Sequence, residues 1–359
     1  MKILQVIPTF GMGGAETMCQ GLCMQLHRMG HEVTAVSLSG DRTPLTEGLE
    51  AAGVPVRYLD KALGSGFGCV GKLKALIRQE RPQVIHTHLH ALKYVALAGT
   101  RVPIVHTVHN QAEKEAVFLD RQIGRHLFRS KKALPVALTR EIRQSVAEVY
   151  GLEEGNIPLV TNGIDLSRCI EKNDYTLHYP IRLLHVGRFY PQKNHMALIE
   201  ASTILKKRGL NCELHCYGDG PLLPEMEEKV QALGLDEQVV FMGVTQDVYT
   251  VMSRADLFLL PSSWEGMPMT VIEAMGAGLP VIASRVGGIP DMIQPGESGV
   301  LIAPQPRELA DAVESLVKDE ALRQALGAGG KGAARNFSLE VMAQGYVDLY
   351  KQLVPGGCL

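Results

Sequence analysis

Short apolar runs alternate with helical stretches along this chain in two successive series, and this alternation restricts the fold more than any other feature. The first series opens with Ile3, Leu4, Val6 and Ile7, a nearly continuous apolar run typical of a strand that is covered on both faces. Strands and helices that alternate in this way favour a parallel, doubly wound sheet. The sequence therefore predicts the α/β class.

The alternation of strands and helices is interrupted once, over residues 162–180. These residues are polar and irregular, which predicts a linker. Before this break the pattern predicts a first helix with one apolar stripe, formed by Met18, Cys19, Leu22, Cys23 and Leu26. Further strands of the first series are predicted at 32–38, 83–87, 103–108, 134–138 and 157–161. Strands of the second series are predicted at 181–187, 212–218, 238–243, 256–261 and 280–284, and an amphipathic helix at 338–354. We therefore expect two doubly wound, Rossmann-like domains in tandem.

In open α/β sheets, ligands bind beyond the carboxyl ends of the strands. Two such domains that face each other would enclose a central cleft. The functional residues should accordingly cluster in the turns that lead from a strand into a helix.

Composition narrows the class of protein further. The 359 residues carry a net charge of −2, which gives no support to bulk nucleic-acid binding. No apolar run approaches the roughly 18 residues of a membrane span, and the first residues lack the pattern of a signal peptide. The seven scattered cysteines favour buried thiols over a disulfide framework or a metal site. These features predict a cytoplasmic protein.

The small net charge conceals an asymmetry. Residues 1–165 hold 19 Lys and Arg against 15 Asp and Glu, which is +4, and the remaining 17 against 23 give −6. Within 71–145 the count is 14 against 5, or +9. This basic stretch is interpreted either as a contact for an anionic partner, such as a lipid-linked substrate or a membrane surface, or as a solvated face.

The first strand-to-helix turn contains Gly11, Gly13 and Gly14. Adjacent glycines let a ligand approach the backbone, and the following helix N-terminus favours an anion. The dinucleotide fingerprint would need a third glycine at position 16, which is Glu, so a nicotinamide-dinucleotide site is disfavoured. A simple tight turn is the alternative reading.

The turn that opens the second series, GRFYPQKN at 187–194, brings Arg188 and Lys193 together after a strong strand. Two cations at a strand end suit a diphosphate, and the alternative is a pair of solvated surface charges.

The segment PSSWEGMPMTVIEAMGAGLPVIAS, 261–284, reads as a loop, a helix, a turn and a strand. Pro268 is well placed to start the helix, which puts Glu273 inside it and Glu265 just before it. A carboxylate there can accept hydrogen bonds from sugar hydroxyls, and the free amides around 267–270 can hold a phosphate.

Histidines cluster in VIHTHLH and VHTVHN. Alternate histidines on a strand suit zinc, but polar residues at strand ends are the favoured reading of His86, His88 and His90. His109 ends its strand, so we expect it at the ligand edge, where its imidazole could donate to a substrate oxygen.

At these residues the sequence resembles the family-4 glycosyltransferases, which are retaining enzymes with the two-domain GT-B fold. Seven segments carry the resemblance in the family's order, and the last of them is the family's Glu-x7-Glu motif. They are GGAE at 13–16, HTVHN at 106–110, TNGID at 161–165, GRFYPQKN at 187–194, GDGP at 218–221, FMGV at 241–244 and EGMPMTVIE at 265–273. Such enzymes transfer a sugar from a nucleotide donor, usually linked to UDP or GDP.

The resemblance implies a role for each matching position. Arg188 and Lys193 would neutralise the leaving diphosphate, Glu265 would contact the donor sugar, and His109 would bond that sugar or stabilise charge near it. Glu273 would bind the ribose hydroxyls. Further donor contacts are implied at Gly13, Gly14, Gly187, Gly218, Val244, Met267, Pro268, Met269 and Thr270, and acceptor-side positions at Gly14, His109 and Asn162.

The resemblance also implies an organisation and a reaction. The first domain would span 1–165, with a helix at 339–359 crossing back to it, and the donor-binding domain would span 166–338. Hinge closure would bring the two together. A hexose, with UDP favoured as the carrier, would move with retention to a hydroxyl of a sugar or lipid-linked acceptor, in cell-surface polysaccharide or glycolipid synthesis. No enzymic nucleophile, no cofactor and no metal is expected, because the Arg188 and Lys193 cations can replace a metal.

Four rival functions remain at this point. A sugar-nucleotide 2-epimerase shares the fold but needs no acceptor, and a GDP-mannose-type transferase would differ in its donor. A noncatalytic binding protein and a dehydrogenase are more distant. The basic residues Arg121, Arg125, Arg129, Lys131 and Lys132 add the expectation of a peripheral contact with an anionic membrane at its inner face.

Overall fold

The computed structural model describes residues 1–11, 13–61, 67–115 and 117–354. The chain divides into two compact units. The first contains Met1–Ile164 together with the segment from Ser338 onward, and the second contains Asp165–Phe337. The second therefore interrupts the first in sequence.

The first unit is built on a six-stranded sheet in the order β3-β2-β1-β4-β5-β6, with every pairing parallel. Its strands are β1 Lys2–Ile7, β2 Glu32–Ser37, β3 Val56–Tyr58, β4 Val84–His88, β5 Ile104–Val108 and β6 Ala133–Ala137. Its first seven helices are α1 Gly14–Arg28, α2 Pro44–Ala51, α3 Phe67–Glu80, α4 Leu92–Leu97, α5 Ala112–Glu115, α6 Phe118–Arg129 and α7 Arg140–Tyr150. The strand order reverses between β1 and β4, where such sheets bind ligands.

The second unit repeats this plan, with the order β12-β11-β10-β7-β8-β9 and again only parallel pairings. Its strands are β7 Ile181–Val186, β8 Cys212–Tyr217, β9 Val239–Gly243, β10 Leu257–Leu260, β11 Val281–Ser284 and β12 Val300–Ile302. Its helices are α8 His195–Lys207, α9 Leu223–Ala232, α10 Val248–Ser253, α11 Met269–Gly276, α12 Ile289–Met292, α13 Pro306–Lys318 and α14 Glu320–Ala334. The reversal lies between β7 and β10. The predicted α/β class with two doubly wound sheets is confirmed.

The last helix, α15 Leu339–Leu353, belongs to the first unit. It packs on α1, where Gly21 leaves room for the Leu339 side chain, and it buries Tyr346 and Tyr350 completely. The amphipathic helix predicted at 338–354 is confirmed, and residues 355–359 of the segment that the resemblance implied lie outside the described part of the chain.

The core follows the predicted apolar positions. The stripe predicted for the first helix, from Met18 to Leu26, is buried against the sheet. The predicted strand at 157–161 is wrong, because only an isolated bridge joins Leu159 to Ala137 there. The short strands β3 and β12 were missed, since three residues are too few to show an alternation. The cysteines Cys19, Cys23, Cys69, Cys169, Cys212 and Cys216 are free thiols, buried or half-buried, and Cys358 lies outside the described residues.

Within the residues that the structure describes, no helix combines the length and the apolar character needed to cross a bilayer.

Candidate active site

A buried carboxylate lies beyond the carboxyl end of β10. Glu265 is only 4% exposed, and both of its oxygens have partners. Its Oε1 lies 2.6 Å from Lys193 Nζ and accepts from Ser262 Oγ at 2.7 Å, while its Oε2 accepts from Gln192 Nε2 at 3.0 Å. The carboxylate is thus fixed in place by a cation and two neutral donors.

Lys193 comes from the turn after β7, which adjoins β10 in the sheet. Two hydrogen bonds tie the two turns together: the Ser263 backbone N–H donates to the Gln192 carbonyl at 2.8 Å, and the Asn194 side-chain Nδ2 donates to the Pro261 carbonyl at 3.0 Å. The Lys193 side chain is 16% exposed. The alternative reading of Lys193 as a solvated surface charge is therefore wrong.

Arg188, in the same turn, is placed differently. Its guanidinium lies over the Tyr190 ring, 5.2 Å from the centroid, and the side chain is exposed. Among the described residues no carboxylate pairs with it. The structure therefore brings Lys193 and Glu265 together and leaves the charge of Arg188 available to an external anion.

Three strand ends of the second unit meet through their backbones. Gly187 N–H donates to the Tyr217 carbonyl at 2.9 Å, and Gly218 N–H donates to the Gly243 carbonyl at 2.8 Å. Gly218 has φ of +146°, and a side chain there would overlap the Gly187 carbonyl. Glycine is therefore required at 218 for this close approach. Val244 follows directly after β9 and is 59% exposed.

The N-terminus of α11 presents unused polar groups. Pro268 occupies the N-cap position without a side-chain cap, so the first amides of the helix, from Met269 and Thr270, have no partner within it. Thr270 Oγ1 is buried without a hydrogen-bond partner. Met267 and Met269 are buried, with 5% and 8% exposure. A helix end of this kind attracts an anion.

Glu273 is the fifth residue of α11 and is only 7% exposed. No described residue donates a hydrogen bond to its carboxylate. Burial raises its pKa to about 7, and the positive charge of Arg168 opposes the shift. The Arg168 guanidinium in turn lies 4.6 Å from the centroid of the Tyr249 ring. The carboxylate oxygens of Glu273 in α11 are therefore available to accept hydrogen bonds.

In the first unit, His109 follows the last residue of β5. Its Nε2 lies 3.1 Å from His88 Nδ1, and its backbone N–H and that of Asn110 donate to Glu115. Burial and the neighbouring His106 lower the pKa of His109 to about 3, so the ring is neutral at ordinary pH.

The remaining predicted positions of the first unit lie around two turns. Gly13 is the N-cap of α1, with the Glu16 carboxylate folded against it, and Gly14 is the first helical residue and is exposed. Asn162 is buried, with 3% exposure, and the next residue, Gly163, packs on the backbone of Ser338.

The histidines of β4 and β5 are core residues that hydrogen-bond within the protein. No group of three or more His, Cys, Asp or Glu with metal-binding geometry occurs in the described ranges. Sequence reasoning missed Gln192, Ser262, Arg168 and Tyr249, which contact or face the two carboxylates. Gln192 and Ser262 lie within the segments 187–194 and 261–284 that the sequence singles out, but a glutamine or a serine alone does not indicate a functional residue.

Two family models match consecutive parts of the chain. Residues 12–168 match the Glycosyltransferase Family 4 model, and residues 172–333 match the model of Glycosyl transferases group 1. Together they span both units. The chain therefore belongs to the family-4, group 1 glycosyltransferases, and it is a glycosyltransferase. Membership of this family does not favour the alternative prediction of a sugar-nucleotide 2-epimerase.

Curated relatives agree with this class. The N-acetyl-alpha-D-glucosaminyl L-malate synthase of Bacillus anthracis is 28% identical, over 78% of this chain and 77% of its own length. The UDP-Gal:alpha-D-GlcNAc-diphosphoundecaprenol alpha-1,3-galactosyltransferase of Escherichia coli is 27% identical, over 72% of this chain and 73% of its own.

A solved structure agrees with the fold. HepE of Anabaena, in complex with UDP and glucose, superposes with a TM-score of 0.86 at 19% identity, covering 98% of this chain and all of that one. The fold is therefore GT-B.

The first prediction concerns the Lys193–Glu265 pair. Lys193→Ala leaves Glu265 buried without its cation, which should lower the free energy of unfolding by about 3 kcal/mol. Adding Glu265→Gln should restore most of that stability. Urea unfolding of the wild type, both single variants and the double variant measures this. The exposed Lys318–Glu314 pair supplies the control, because Lys318→Ala should cost under about 1 kcal/mol. Equal losses at both pairs would contradict the prediction.

The second prediction concerns Glu273. Because its folded pKa is raised above the usual 4.5 to about 7, the folded state binds its proton more tightly than the unfolded state. Stability contributed by this group is therefore lost as the pH rises from about 4.5 to about 7. Glu273→Gln should be more stable than the wild type by under about 1 kcal/mol near pH 5 and by about 3 kcal/mol at pH 8.

Urea unfolding across that pH range tests the second prediction. The exposed Glu340→Gln controls for the loss of one carboxylate. A stability difference that is the same at pH 5 and pH 8 would show that Glu273 does not titrate in this range.

Proposed function

We propose that this glycosyltransferase moves a hexose from a nucleoside-diphosphate sugar, with UDP as the favoured carrier, to a hydroxyl acceptor with retention at the anomeric carbon. The observation that carries the proposal is the Lys193–Glu265 pair, which fixes a cation and a carboxylate at the carboxyl edge of the second sheet. This edge is where doubly wound sheets bind nucleotides.

The leaving diphosphate explains the cations. When the sugar–phosphate bond breaks, negative charge grows on the phosphate and positive charge on the sugar ring. Arg188, Lys193 and the first amides of α11, from Met269 and Thr270, are the groups that would stabilise the phosphate charge. One such preorganised donor is typically worth about 3 kcal/mol in the transition state. Since these groups supply the positive charge, we propose turnover without a metal ion or other cofactor.

The carboxylates would recognise the two sugars. Glu265 would accept from hydroxyls of the transferred hexose, and the unfilled acceptors of Glu273 would take the ribose hydroxyls. Gly187, Gly218 and Val244 would line the base and the ribose. Glu265 is committed through both oxygens to Lys193, Ser262 and Gln192, which suits a fixed hydrogen-bond acceptor better than a nucleophile.

We therefore propose no enzymic nucleophile. The bond from the anomeric carbon to the donor phosphate would break while the acceptor oxygen bonds the same face of that carbon. The acceptor proton would pass to the leaving phosphate oxygen. In the first unit, His109 would contact the transferred sugar, and Gly13, Gly14 and Asn162 would serve the phosphate and the acceptor.

The choice of UDP and of the acceptor class is supported by the relatives. HepE was crystallised with UDP and glucose, and the Escherichia coli relative is named for a UDP-galactose donor and a lipid-linked acceptor. We propose the same donor class and a sugar or lipid-linked acceptor here, in cell-surface polysaccharide or glycolipid synthesis.

The third prediction is that UDP and UDP-sugars stabilise the full chain against heat equally in EDTA and in magnesium. A ligand at about 100 times its dissociation constant adds about 2.7 kcal/mol, which a thermal shift detects. Folded Lys193→Ala/Glu265→Gln should retain binding but lose about a hundredfold or more in turnover. A thermal shift with GDP alone would mean that the donor sugar is linked to GDP and not to UDP. No shift with any nucleotide would contradict the proposed donor site.

A lipid-linked acceptor requires a membrane surface, and one face of the first unit suits it. Three consecutive apolar residues before and at the start of α6 are exposed: Val117 by 60%, Phe118 by 74% and Leu119 by 63%. Phe118, Gln122, Arg125 and Arg129 follow at spacings of four, three and four, so they share one exposed stripe of α6. Lys131 and Lys132 continue the positive charge. We propose that this apolar tip and basic stripe contact an anionic bilayer at its inner face.

The fourth prediction tests this contact by flotation with phosphatidylglycerol-containing vesicles. The chain should bind at low salt and be released as salt rises. Phe118→Asp should weaken binding at least about tenfold, because it removes an apolar side chain that would be buried in the bilayer. Val341→Asp, at an apolar residue that is 48% exposed on α15, is the matched control. Equal binding to neutral vesicles, or equal losses in both variants, would overturn the proposal.

A further inference from the structure

A chain of buried polar side chains connects α15 to His109 through the core of the first unit. Six of its members have no exposed surface, although a buried polar group costs free energy unless it is hydrogen-bonded. They are Gln5, His86, His88, Thr107, Tyr346 and Tyr350. Apolar side chains would fill the same core without that constraint.

Gln5 fixes the direction of the bonds that lead to His109. Its Nε2 donates to Tyr350 Oη at 3.3 Å, and its Oε1 lies 2.9 Å from His88 Nε2. A carbonyl oxygen can only accept, so His88 Nε2 carries the hydrogen. Burial holds the pKa of His88 well below its usual value, so this ring is neutral and its Nδ1 is bare.

The bare nitrogen of His88 determines the state of His109. His88 Nδ1 lies 3.1 Å from His109 Nε2, and a bond between them requires that His109 Nε2 donates. A neutral His109 then has no hydrogen on Nδ1. This Nδ1 makes no hydrogen bond to any residue in the described ranges. The outward atom of the ring is thus a lone-pair acceptor.

We propose that Gln5 and His88 are positioning residues that hold His109 in its Nε2–H tautomer, so that Nδ1 accepts a hydrogen bond from a hydroxyl of the transferred sugar. This inference rests on the proposed function, in which His109 contacts that sugar. The imidazole accepts, which is the reverse of the donation expected from the sequence. The partner on the substrate must accordingly be a hydroxyl, since an ether or carbonyl oxygen has no hydrogen to donate.

The other half of the chain agrees with this direction. Tyr350 Oη, which accepts from Gln5, lies 2.6 Å from His86 Nδ1 and can donate to it. His86 Nε2 then donates to Thr107 Oγ1 at 2.7 Å. Thr107 Oγ1 lies 2.7 Å from Tyr346 Oη, where the chain ends. Each histidine therefore donates through one nitrogen and accepts through the other.

The fifth prediction is read directly from the histidine tautomers. In a long-range ¹H–¹⁵N spectrum of the ¹⁵N-labelled full chain, a protonated ring nitrogen is distinguished from a bare one, and the signals that vanish in His109→Asn identify His109. We expect hydrogen on Nε2 and none on Nδ1 in the wild type. Hydrogen on Nδ1 would overturn the proposal without any variant of Gln5.

Gln5→Met provides the second arm, because it keeps the side-chain length and removes both hydrogen bonds. We expect His109 to populate both tautomers and kcat/KM to fall about fivefold to tenfold, the effect of losing one oriented hydrogen bond. Tyr346→Phe is the matched control. It removes a hydroxyl from the same buried chain at the end away from His109, and it should change neither the tautomer nor kcat/KM.

The two arms separate this inference from the proposed function. If His109→Asn keeps full turnover, then the role of His109 in catalysis is wrong, and the spectrum still tests whether Gln5 and His88 hold the ring. If Gln5→Met leaves both tautomer and kcat/KM at wild-type values, or if Tyr346→Phe changes them as much as Gln5→Met does, then the positioning role is wrong.

Discussion

Parallel pairing of all strands is the constraint on which the rest of this structure depends. Because every strand of a parallel sheet runs in the same direction, all carboxyl ends meet at one edge, and each turn that leaves that edge is brought beside turns from distant parts of the sequence. Lys193 and Glu265 are 72 residues apart in the chain, yet β7 and β10 are neighbours at the reversal of strand order, and the two side chains form an ion pair. The same rule brings His88 and His109 together from β4 and β5.

The two carboxylates of the α11 region occupy contrasting environments. Glu265 is compensated by a cation and two neutral donors, whereas burial raises the pKa of Glu273 to about 7 because Arg168 compensates its charge only in part. A buried acceptor that lacks hydrogen-bond partners destabilises the folded chain. Such a group is retained where a ligand supplies the missing hydrogen bonds. In our proposal the ribose hydroxyls donate the hydrogen bonds that Glu273 lacks, whereas Glu265 is already held in place before the donor binds.

The sequence predicted the class, most strands of both series and the turns that hold the candidate residues, because apolar periodicity and glycine placement are local signals. It did not predict which charges pair. Arg188 and Lys193 stand five residues apart in one turn, but one stacks on Tyr190 in solvent and the other is enclosed with Glu265. Sequence spacing reports neither side-chain direction nor burial. Gln5 could have been noticed, since an uncharged polar residue inside the apolar run KILQVI must find a partner when it is buried.

The buried polar chain of the first unit gives the C-terminal helix more than a packing role. Tyr350 on α15 accepts from Gln5 on β1, and Gln5 accepts from His88 on β4, which accepts from His109 beyond β5. Each bond of this series has a definite donor, so the orientation of one amide is transmitted through His88 to the nitrogen that His109 presents. A hydrogen-bonded core is more demanding than an apolar one, because every member must be satisfied. Because each of these buried groups must be hydrogen-bonded, the fold and not the solvent determines the tautomer of the half-exposed His109.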